Sequence, residues 1–158
     1  MKKCIVVAAS ICMMISALSV TVSAETKKGM AFPKDWRTYR HIGSLIITDK
    51  DQPLLGIHHF YMNQKGLAAF EKGGPYPDGT VIVDAVYEVV DSGGILNEGK
   101  HAFYPVMKKN AKMKETGGWE WYAFDPDGAR LEKDPKKDCL VCHESAKDSD
   151  YVLSKPLK

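Results

Sequence analysis

The sequence predicts an α+β fold that is mainly β, with an antiparallel sheet, a few short helices and a helical segment near the C-terminus. Two observations support this prediction. Short apolar runs are separated by turn motifs such as YPDGT (76–80) and DPDG (125–128), in which Pro, Asp and Gly favour chain reversal. One of these runs, Thr80–Val90, also has the two-residue periodicity that a strand requires.

The strands are predicted from these apolar runs. Thr80–Val90 is the clearest, because its odd-numbered positions form one fully apolar face. Its other face mixes apolar residues with Asp84 and Glu88, so an acidic side chain stands in the middle of a hydrophobic strand. The other predicted strands are Ile42–Thr48, Ile57–Met62, His101–Lys108 and Trp119–Phe124.

Short helices and one long loop complete the predicted elements. Pro33–Tyr39 is compatible with a short helix that has Pro33 in its first turn. Asn63 is a suitable N-cap for a helix that continues to Lys72 and ends at the following glycines. The glycine-rich stretch Asp91–Gly99 is predicted as a loop, and Asp134 is predicted to start the C-terminal helix.

The first 24 residues have the features of a secretory signal peptide. Lys2 and Lys3 precede an apolar run, Ile5–Leu18, and Val22-Ser23-Ala24 is a small-x-small cleavage site. The apolar run is shorter than the roughly 20 residues of a membrane-spanning helix. We therefore expect cleavage after Ala24, a single domain at 25–158 and a periplasmic location.

Charge gives no reason to expect binding to nucleic acid or membranes. The chain has 22 basic and 20 acidic residues, and the signal peptide accounts for Lys2 and Lys3 but for no acid. The mature protein is therefore nearly neutral, and we expect neither nucleic acid nor a membrane as a partner.

The motif DCLVCHES (138–145) contains Cys139, Cys142 and His143 in the spacing C-x-x-C-H. Such a cluster is compatible with a zinc ion, a redox dithiol, a disulfide or a haem. A structural zinc needs four ligands, and no second C-x-x-C or H-x₃-H cluster supplies two more beside the cysteine pair. A thioredoxin-like dithiol is expected near the start of a βαβ unit, whereas this motif lies near the C-terminus. The pattern favours one covalent haem c, with thioethers at both cysteines and His143 as the iron ligand.

The position of the motif predicts where the other side of the haem is formed. Only 15 residues follow His143, and none of them is Met, His or Cys. The distal wall is therefore expected to come from the sheet, and iron with one imidazole ligand stays open to a small molecule. Phe60 and Phe103 are candidates for this wall, and Asp84 is a candidate catalytic residue that would accept protons, although core packing and a solvent-facing carboxylate are the plain alternatives.

Other side chains in the predicted sheet offer alternative iron ligands. His58 and His59 are adjacent in one strand and should point to opposite faces, so one of them can approach the haem. The methionines at 62, 107 and 113 are further candidates. For all of these residues, ordinary packing or hydrogen bonding is the simpler interpretation.

Several short motifs, taken in order, resemble the cytochrome P-460 family, which also includes the cytochromes c′-β. The resemblance covers essentially the whole chain after residue 24. It rests on Trp36 with Gly43, FYMN (60–63), PDGTVIV (77–83), VMKKN (106–110), GGWEWYAF (117–124), and CLVCHE (139–144) with SDYVLS (149–154). It implies a mainly β fold, a single c-type haem on a C-terminal motif, a proximal histidine and an open distal site.

The family resemblance implies one of two chemistries. P-460 members have a lysine, from the strand after D-G-T, that cross-links to the porphyrin, and they oxidise hydroxylamine with the help of a distal carboxylate. The c′-β members lack the cross-link, carry apolar distal groups and bind nitric oxide. In this chain Asp84 occupies the matching strand position, and no lysine lies between Lys72 and Lys100. Glu144 directly follows His143, whereas the carboxylate is expected one residue later, at Ser145.

These departures favour a periplasmic mono-haem cytochrome that binds nitric oxide or a related small nitrogen compound. A hydroxylamine-oxidising enzyme and a six-coordinate electron-transfer cytochrome are the alternatives, so an oxidoreductase activity toward hydroxylamine or nitric oxide is left open. Lys136 and Lys137, beside the motif, are suited to guide an acidic redox partner. A homodimer is a further option.

Overall fold

The computed structural model describes residues 29–156. The predicted signal peptide, its cleavage site and two of the four cysteines, Cys4 and Cys12, lie outside these residues. Within the described part, the chain forms one six-stranded antiparallel sheet in which each strand pairs with the next along the sequence. The α+β, mainly β prediction is therefore confirmed. The strands are β1 (Arg40–Ile47), β2 (Gly56–Met62), β3 (Val81–Asp91), β4 (Leu96–Lys109), β5 (Trp119–Phe124) and β6 (Arg130–Leu131).

The helices are short and lie between or after the strands. Three 3-10 turns or helical pieces occur upstream of the motif, and the motif itself lies in a helical segment, 135–149, that is kinked at Ala146. The upstream pieces are Trp36–Thr38, Gln64–Gly66 with the α-turn Leu67–Phe70, and Lys114–Thr116. The C-terminal segment consists of a π-helical turn Pro135–Leu140, an α-turn Val141–His143 and a 3-10 stretch Glu144–Ser149.

The sheet is covered on both faces, and the two faces have separate cores. One face, called here the motif face, carries Met62, Ile82, Met107 and Trp121, and packs against Leu140 of the C-terminal segment. The opposite face packs against Trp36 and consists mainly of Val81, Val83, Ala85, Tyr104, Val106, Tyr122 and Phe124. Of the predicted apolar odd positions of β3, those at 81, 83 and 85 lie in the core of the opposite face, and Tyr87 packs against it.

Three predicted details of the connections between strands are wrong. The loop predicted for Asp91–Gly99 is only a four-residue hairpin, because β4 already begins at Leu96, opposite Asp91. The helix predicted to reach Lys72 ends at Phe70. Asn63 does not cap it with its side chain: its amide group instead donates to the Gly79 carbonyl and accepts from the Val81 N–H, which ties β2 to the start of β3.

None of the helices formed by residues 29–156 is long and apolar enough to cross a membrane.

Candidate functional site

The start of the C-terminal helical segment is fixed by two aspartates. The Asp134 side chain accepts hydrogen bonds from the backbone N–H groups of Lys136 and Lys137, as an N-cap does. In return, the Asp134 N–H donates to the Asp138 carboxylate at 2.9 Å. The π-helical turn that follows is a rare element that is frequent at functional sites. It holds Cys139, and the next turn holds Cys142 and His143 in the order predicted.

The two cysteines have different surroundings. Cys142 is exposed, whereas Cys139 is half-buried and packs against the core of the motif face. Burial, reinforced by the nearby Asp138 carboxylate, raises the pKa of Cys139 to about 11. A thiol with so high a pKa is a poor thiolate nucleophile, which argues against a redox dithiol.

His143 is held in one orientation by two contacts. Its Nδ1 lies 2.7 Å from the Tyr151 carbonyl oxygen, and its ring meets Trp121 edge-on at a centroid distance of 4.6 Å. Burial lowers the pKa of His143, although the bond to Tyr151 opposes the shift. A carbonyl can only accept, so Nδ1 must carry the proton. The lone pair is therefore on Nε2, which is the arrangement a metal-ligating histidine needs.

These residues fit a covalent haem. The two thiols and the imidazole lie in consecutive helical turns, and the tautomer of His143 leaves Nε2 as an iron donor. Within residues 29–156, no group of three or more His, Cys, Asp or Glu side chains is arranged to hold a metal ion by itself. Cys139 and Cys142 would hold the porphyrin, and His143 would bind the iron. When bound, the haem supplies redox chemistry and an iron coordination position that the side chains lack.

The register of the sheet determines which predicted distal residues share the motif face. Phe60 is paired directly with Asp84, and Phe103 is paired with Val86, two residues further along the same strand. Side chains two apart lie on one face, so Phe60, Asp84 and Phe103 share the face that carries Ile82. Phe60 packs against the same core as Cys139, and both phenylalanines are only half-buried. The structure thus brings these three residues to the face on which the motif packs.

One of the two interpretations of Asp84 placed its carboxylate in solvent, and the structure shows that this interpretation is wrong. Its carboxylate is 13% exposed and its Oδ2 lies 2.8 Å from Nδ1 of the buried His58. Its Oδ1 is buried and has no hydrogen-bond partner among the described residues. An unpartnered buried carboxylate oxygen is costly, so its presence on the motif face is a reason to expect a further group at this position.

His58 and His59 point to opposite faces, as predicted. His58 is occupied at both ring nitrogens, since its Nε2 lies 2.8 Å from the Leu54 carbonyl and its Nδ1 binds Asp84. His59 lies on the opposite face, between Ser44 and Glu98. The hydrogen-bonded interpretation of both residues is therefore the one that the geometry supports.

The methionines proposed as alternative iron ligands are positioned as core or surface residues. Met62 is fully buried, and its sulfur lies beneath Gly66, where an added Cβ would come within 2.6 Å of it. Met107 is buried in the core of the motif face. Met113 is 41% exposed in the connection before β5.

Several residues that contact the motif were not singled out from the sequence. Trp121 and Tyr151 touch His143 directly, and Asp150, which precedes Tyr151, forms a largely buried ion pair with Lys109. Trp121 and Tyr151 belong to motifs on which the family resemblance rests, and only this membership could have pointed to them from the sequence. Glu144 is exposed, and the Ser145 hydroxyl donates to the Cys142 carbonyl, so neither residue contributes a buried carboxylate.

Residues 33–154, which are most of the chain, match the family model described as Cytochrome P460. A comparison with curated proteins finds no match.

Proposed function

This chain belongs to the cytochrome P460 family, and on that premise we propose that it is a periplasmic protein with one covalent haem c that binds nitric oxide at an open iron position. The family indicates a haem protein of the P460 or c′-β kind. The single haem, its covalent attachment, the ligand and the location are our proposals.

Cys139, Cys142 and His143 support the proximal half of this proposal. In it, the two thiols add to the porphyrin vinyl groups and form thioethers, and Nε2 of His143 binds iron. The Tyr151 carbonyl keeps the proton on Nδ1, and Trp121 restricts rotation of the ring. The backbone thus fixes this ligand before the haem is attached.

The observation that supports an open iron position is the lack of a free ligand on the motif face. Of the His and Met side chains there, Met62 and Met107 are buried in the core, and both nitrogens of His58 are already bonded. The other described histidines that precede the motif belong to the opposite face: His41 and His59 share the Ser44 hydroxyl, and His101 packs on Tyr104. Among residues 29–156, no imidazole or thioether that the sheet carries on the motif face is therefore free to become a sixth ligand without repacking.

Nitric oxide is the favoured ligand because the half-buried side chains on this face are mainly apolar. Phe60 and Phe103 provide aromatic surface, which suits a neutral diatomic molecule better than a ligand that must exchange protons. Hydroxylamine oxidation is kept as a second candidate for one reason. Asp84 shares this face and has a carboxylate oxygen without a partner, so a proton acceptor is present.

An absorption spectrum of the matured, reduced protein tests the proposal. We expect a high-spin, five-coordinate haem spectrum that changes on addition of carbon monoxide or nitric oxide. The control is His143→Ala, which should retain its thioether-linked haem but show altered iron coordination before any ligand is added. A low-spin, six-coordinate spectrum that does not change with either gas would contradict an open site and favour electron transfer.

A further inference from the structure

Three residues from separate sequence motifs have no role in the haem site described so far, yet they meet at the position directly before Tyr151. Lys109 comes from VMKKN, Trp119 from GGWEWYAF, and Asp150 from SDYVLS. The residues are between 10 and 41 positions apart in the chain, and they converge on the Asp150 side chain and carbonyl. A cluster built from such distant segments indicates a function in fixing the chain at this point.

Asp150 uses all three of its oxygen atoms. Oδ1 accepts from Lys109 Nζ at 2.5 Å, Oδ2 accepts from the Tyr76 N–H at 2.8 Å, and the carbonyl accepts from Trp119 Nε1 at 2.9 Å. The side chain of Asp150 is therefore bonded to β4 and to the segment before β3, and its carbonyl is bonded to β5.

The ion pair between Lys109 and Asp150 is costly to break because the charge of Lys109 is buried. Its side chain is 9% exposed, and its Nζ lies 4.9 Å from the centre of the Trp119 ring. The carboxylate of Asp150 is its ion-pair partner in the structure. Loss of that carboxylate would leave an unpaired buried ammonium group, which is a large penalty.

The backbone conformation of Asp150 and Tyr151 links the anchored Asp150 side chain to His143. Both residues have left-handed conformations, with φ of 51° and 67°, although neither is glycine. Such conformations cost about 1 kcal/mol or more each and persist only where surrounding contacts hold them. The Tyr151 N–H donates to the Ala146 carbonyl, and its ring lies over Gly117, where an added Cβ would come within 2.6 Å of the ring. This double turn directs the Tyr151 carbonyl toward Nδ1 of His143.

We propose that Asp150, held by Lys109, is a positioning residue for the proximal histidine. It sets the strength of the hydrogen bond from His143 Nδ1–H to the Tyr151 carbonyl. Through this bond it sets the electron density that His143 gives to iron. The inference rests on the proposed function, in which His143 is the iron ligand. A firm bond from Nδ1–H raises the basicity of the ligating nitrogen. A weaker bond makes His143 a weaker donor, destabilises ferric iron and raises the reduction potential.

Asp150→Asn is the test, because it keeps the shape of the side chain and removes its charge. The matched control is Glu115→Gln, which breaks the exposed ion pair with Lys136, at the far end of the same helical segment. Both variants are made as full chains and matured with haem. We measure haem content, the iron–histidine stretching band of the reduced protein and the reduction potential.

We expect Asp150→Asn to retain covalent haem, with a lower and broader iron–histidine band and a higher potential than the wild type, whereas Glu115→Gln matches the wild type. An unchanged band and potential in folded Asp150→Asn would overturn the proposal and leave a purely structural ion pair. Absence of covalent haem or of an iron–histidine band in the wild type would instead contradict the proposed function, so the two failures are distinguishable.

Two further measurements keep the test decisive if Asp150→Asn does not fold. Lys109→Gln removes the ion pair but leaves the bonds from Tyr76 and Trp119 to Asp150, and it should shift the band and potential in the same direction. In haem-free wild type, nitrogen-15 NMR should show His143 as the Nδ1–H tautomer with a slowly exchanging proton. A rapidly exchanging mixture of tautomers, or wild-type spectra in Lys109→Gln, would overturn the proposal.

Discussion

Nδ1 of His58 lies 2.8 Å from Oδ2 of Asp84, and the two side chains are 2% and 13% exposed. His58 Nε2–H donates to the Leu54 carbonyl, so the hydrogen bond between Nδ1 and Oδ2 holds a single further proton. Burial acts to lower the pKa of His58, but the hydrogen bond and charge of Asp84 outweigh it, so that the pKa is raised from 6.5. Burial, the largest influence, also raises the pKa of Asp84, although His58 opposes that shift.

The first prediction concerns stability as a function of pH. Because the folded state raises both pKa values, it binds protons more tightly than the unfolded chain does. The contribution of His58 is complete below pH 6.5, its ordinary value, and is lost as the pH rises through the folded-state pKa. We therefore expect the free energy of unfolding to fall above pH 6.5 by up to about 1.4 kcal/mol per pH unit for one proton.

Urea unfolding between pH 6 and pH 9 measures this slope in the wild type, His58→Gln, Asp84→Asn and the double variant. Either single substitution should flatten the slope, and the double variant should add nothing further, because the two residues act as one pair. A wild-type slope retained in His58→Gln would show that the proton resides elsewhere.

The pair also illustrates what the sequence predicted and what it did not. The alternation of apolar residues in Thr80–Val90 was sufficient to assign β3 and its apolar face. Because His58 and His59 are neighbours in one strand, their side chains could be placed on opposite faces. The partner of Asp84 was not predictable, because it depends on the register between β2 and β3, and on which of two histidines shares its face. Asn63 does not cap the helix for a similar reason, because its side-chain partners depend on tertiary structure. Its amide is hydrogen-bonded to Gly79 and Val81, next to the start of β3, and not to the helix that follows it.

The second prediction separates ligand binding from turnover. Asp84→Asn removes the only unpartnered carboxylate oxygen found buried among residues 29–156 and leaves the apolar side chains in place. Nitric oxide is neutral and needs no proton acceptor, so its affinity should change by no more than about twofold, less than 0.5 kcal/mol. We also expect no hydroxylamine-dependent reduction of the wild-type haem. If the wild type shows such a reduction and Asp84→Asn loses it, the protein is an enzyme and Asp84 its proton acceptor.

The third prediction concerns haem attachment. Replacing Cys139 and Cys142 together with Ala should abolish attachment, whereas wild-type haem should stay with the polypeptide during extraction with acid and organic solvent. Haem that leaves with the solvent would contradict the thioether bonds. In haem-free protein at pH 8, iodoacetamide should modify exposed Cys142 at least tenfold faster than Cys139, because burial raises the pKa of Cys139 to about 11.

The fourth prediction is that no lysine cross-links to the porphyrin. Asp84 occupies the strand position that we expect, from the family resemblance, to correspond to the cross-linking lysine, and it is bonded to His58. Lys109, the lysine of β4 that packs on Trp119 of the motif face, is paired with Asp150. After removal of the signal peptide, the intact mass should therefore equal the polypeptide plus one haem. A tryptic peptide that joins Lys65, Lys72, Lys100 or Lys108 to haem would refute this, as would a strongly red-shifted Soret band in the reduced protein.

The fifth prediction tests the electron-transfer alternative at its most plausible ligands. Met62 and Met107 are the methionines of the motif face, and both are buried in its core. Leucine has a similar volume but no thioether, so Met62→Leu and Met107→Leu should each cost less than about 1.5 kcal/mol in stability. If neither sulfur binds iron, both variants should keep the wild-type reduced spectrum and its response to carbon monoxide.

Met113→Leu is tested beside this pair, because Met113 is the third candidate methionine, is 41% exposed and lies outside that core. A methionine that ligated iron would give a different result when replaced: the low-spin bands of the reduced protein would disappear, and carbon monoxide would bind only in the variant. That outcome in Met62→Leu or Met107→Leu would mean that the core opens on haem binding and releases a sulfur to iron. The spectrum of the leucine variants therefore decides whether the sheet supplies a wall or a ligand.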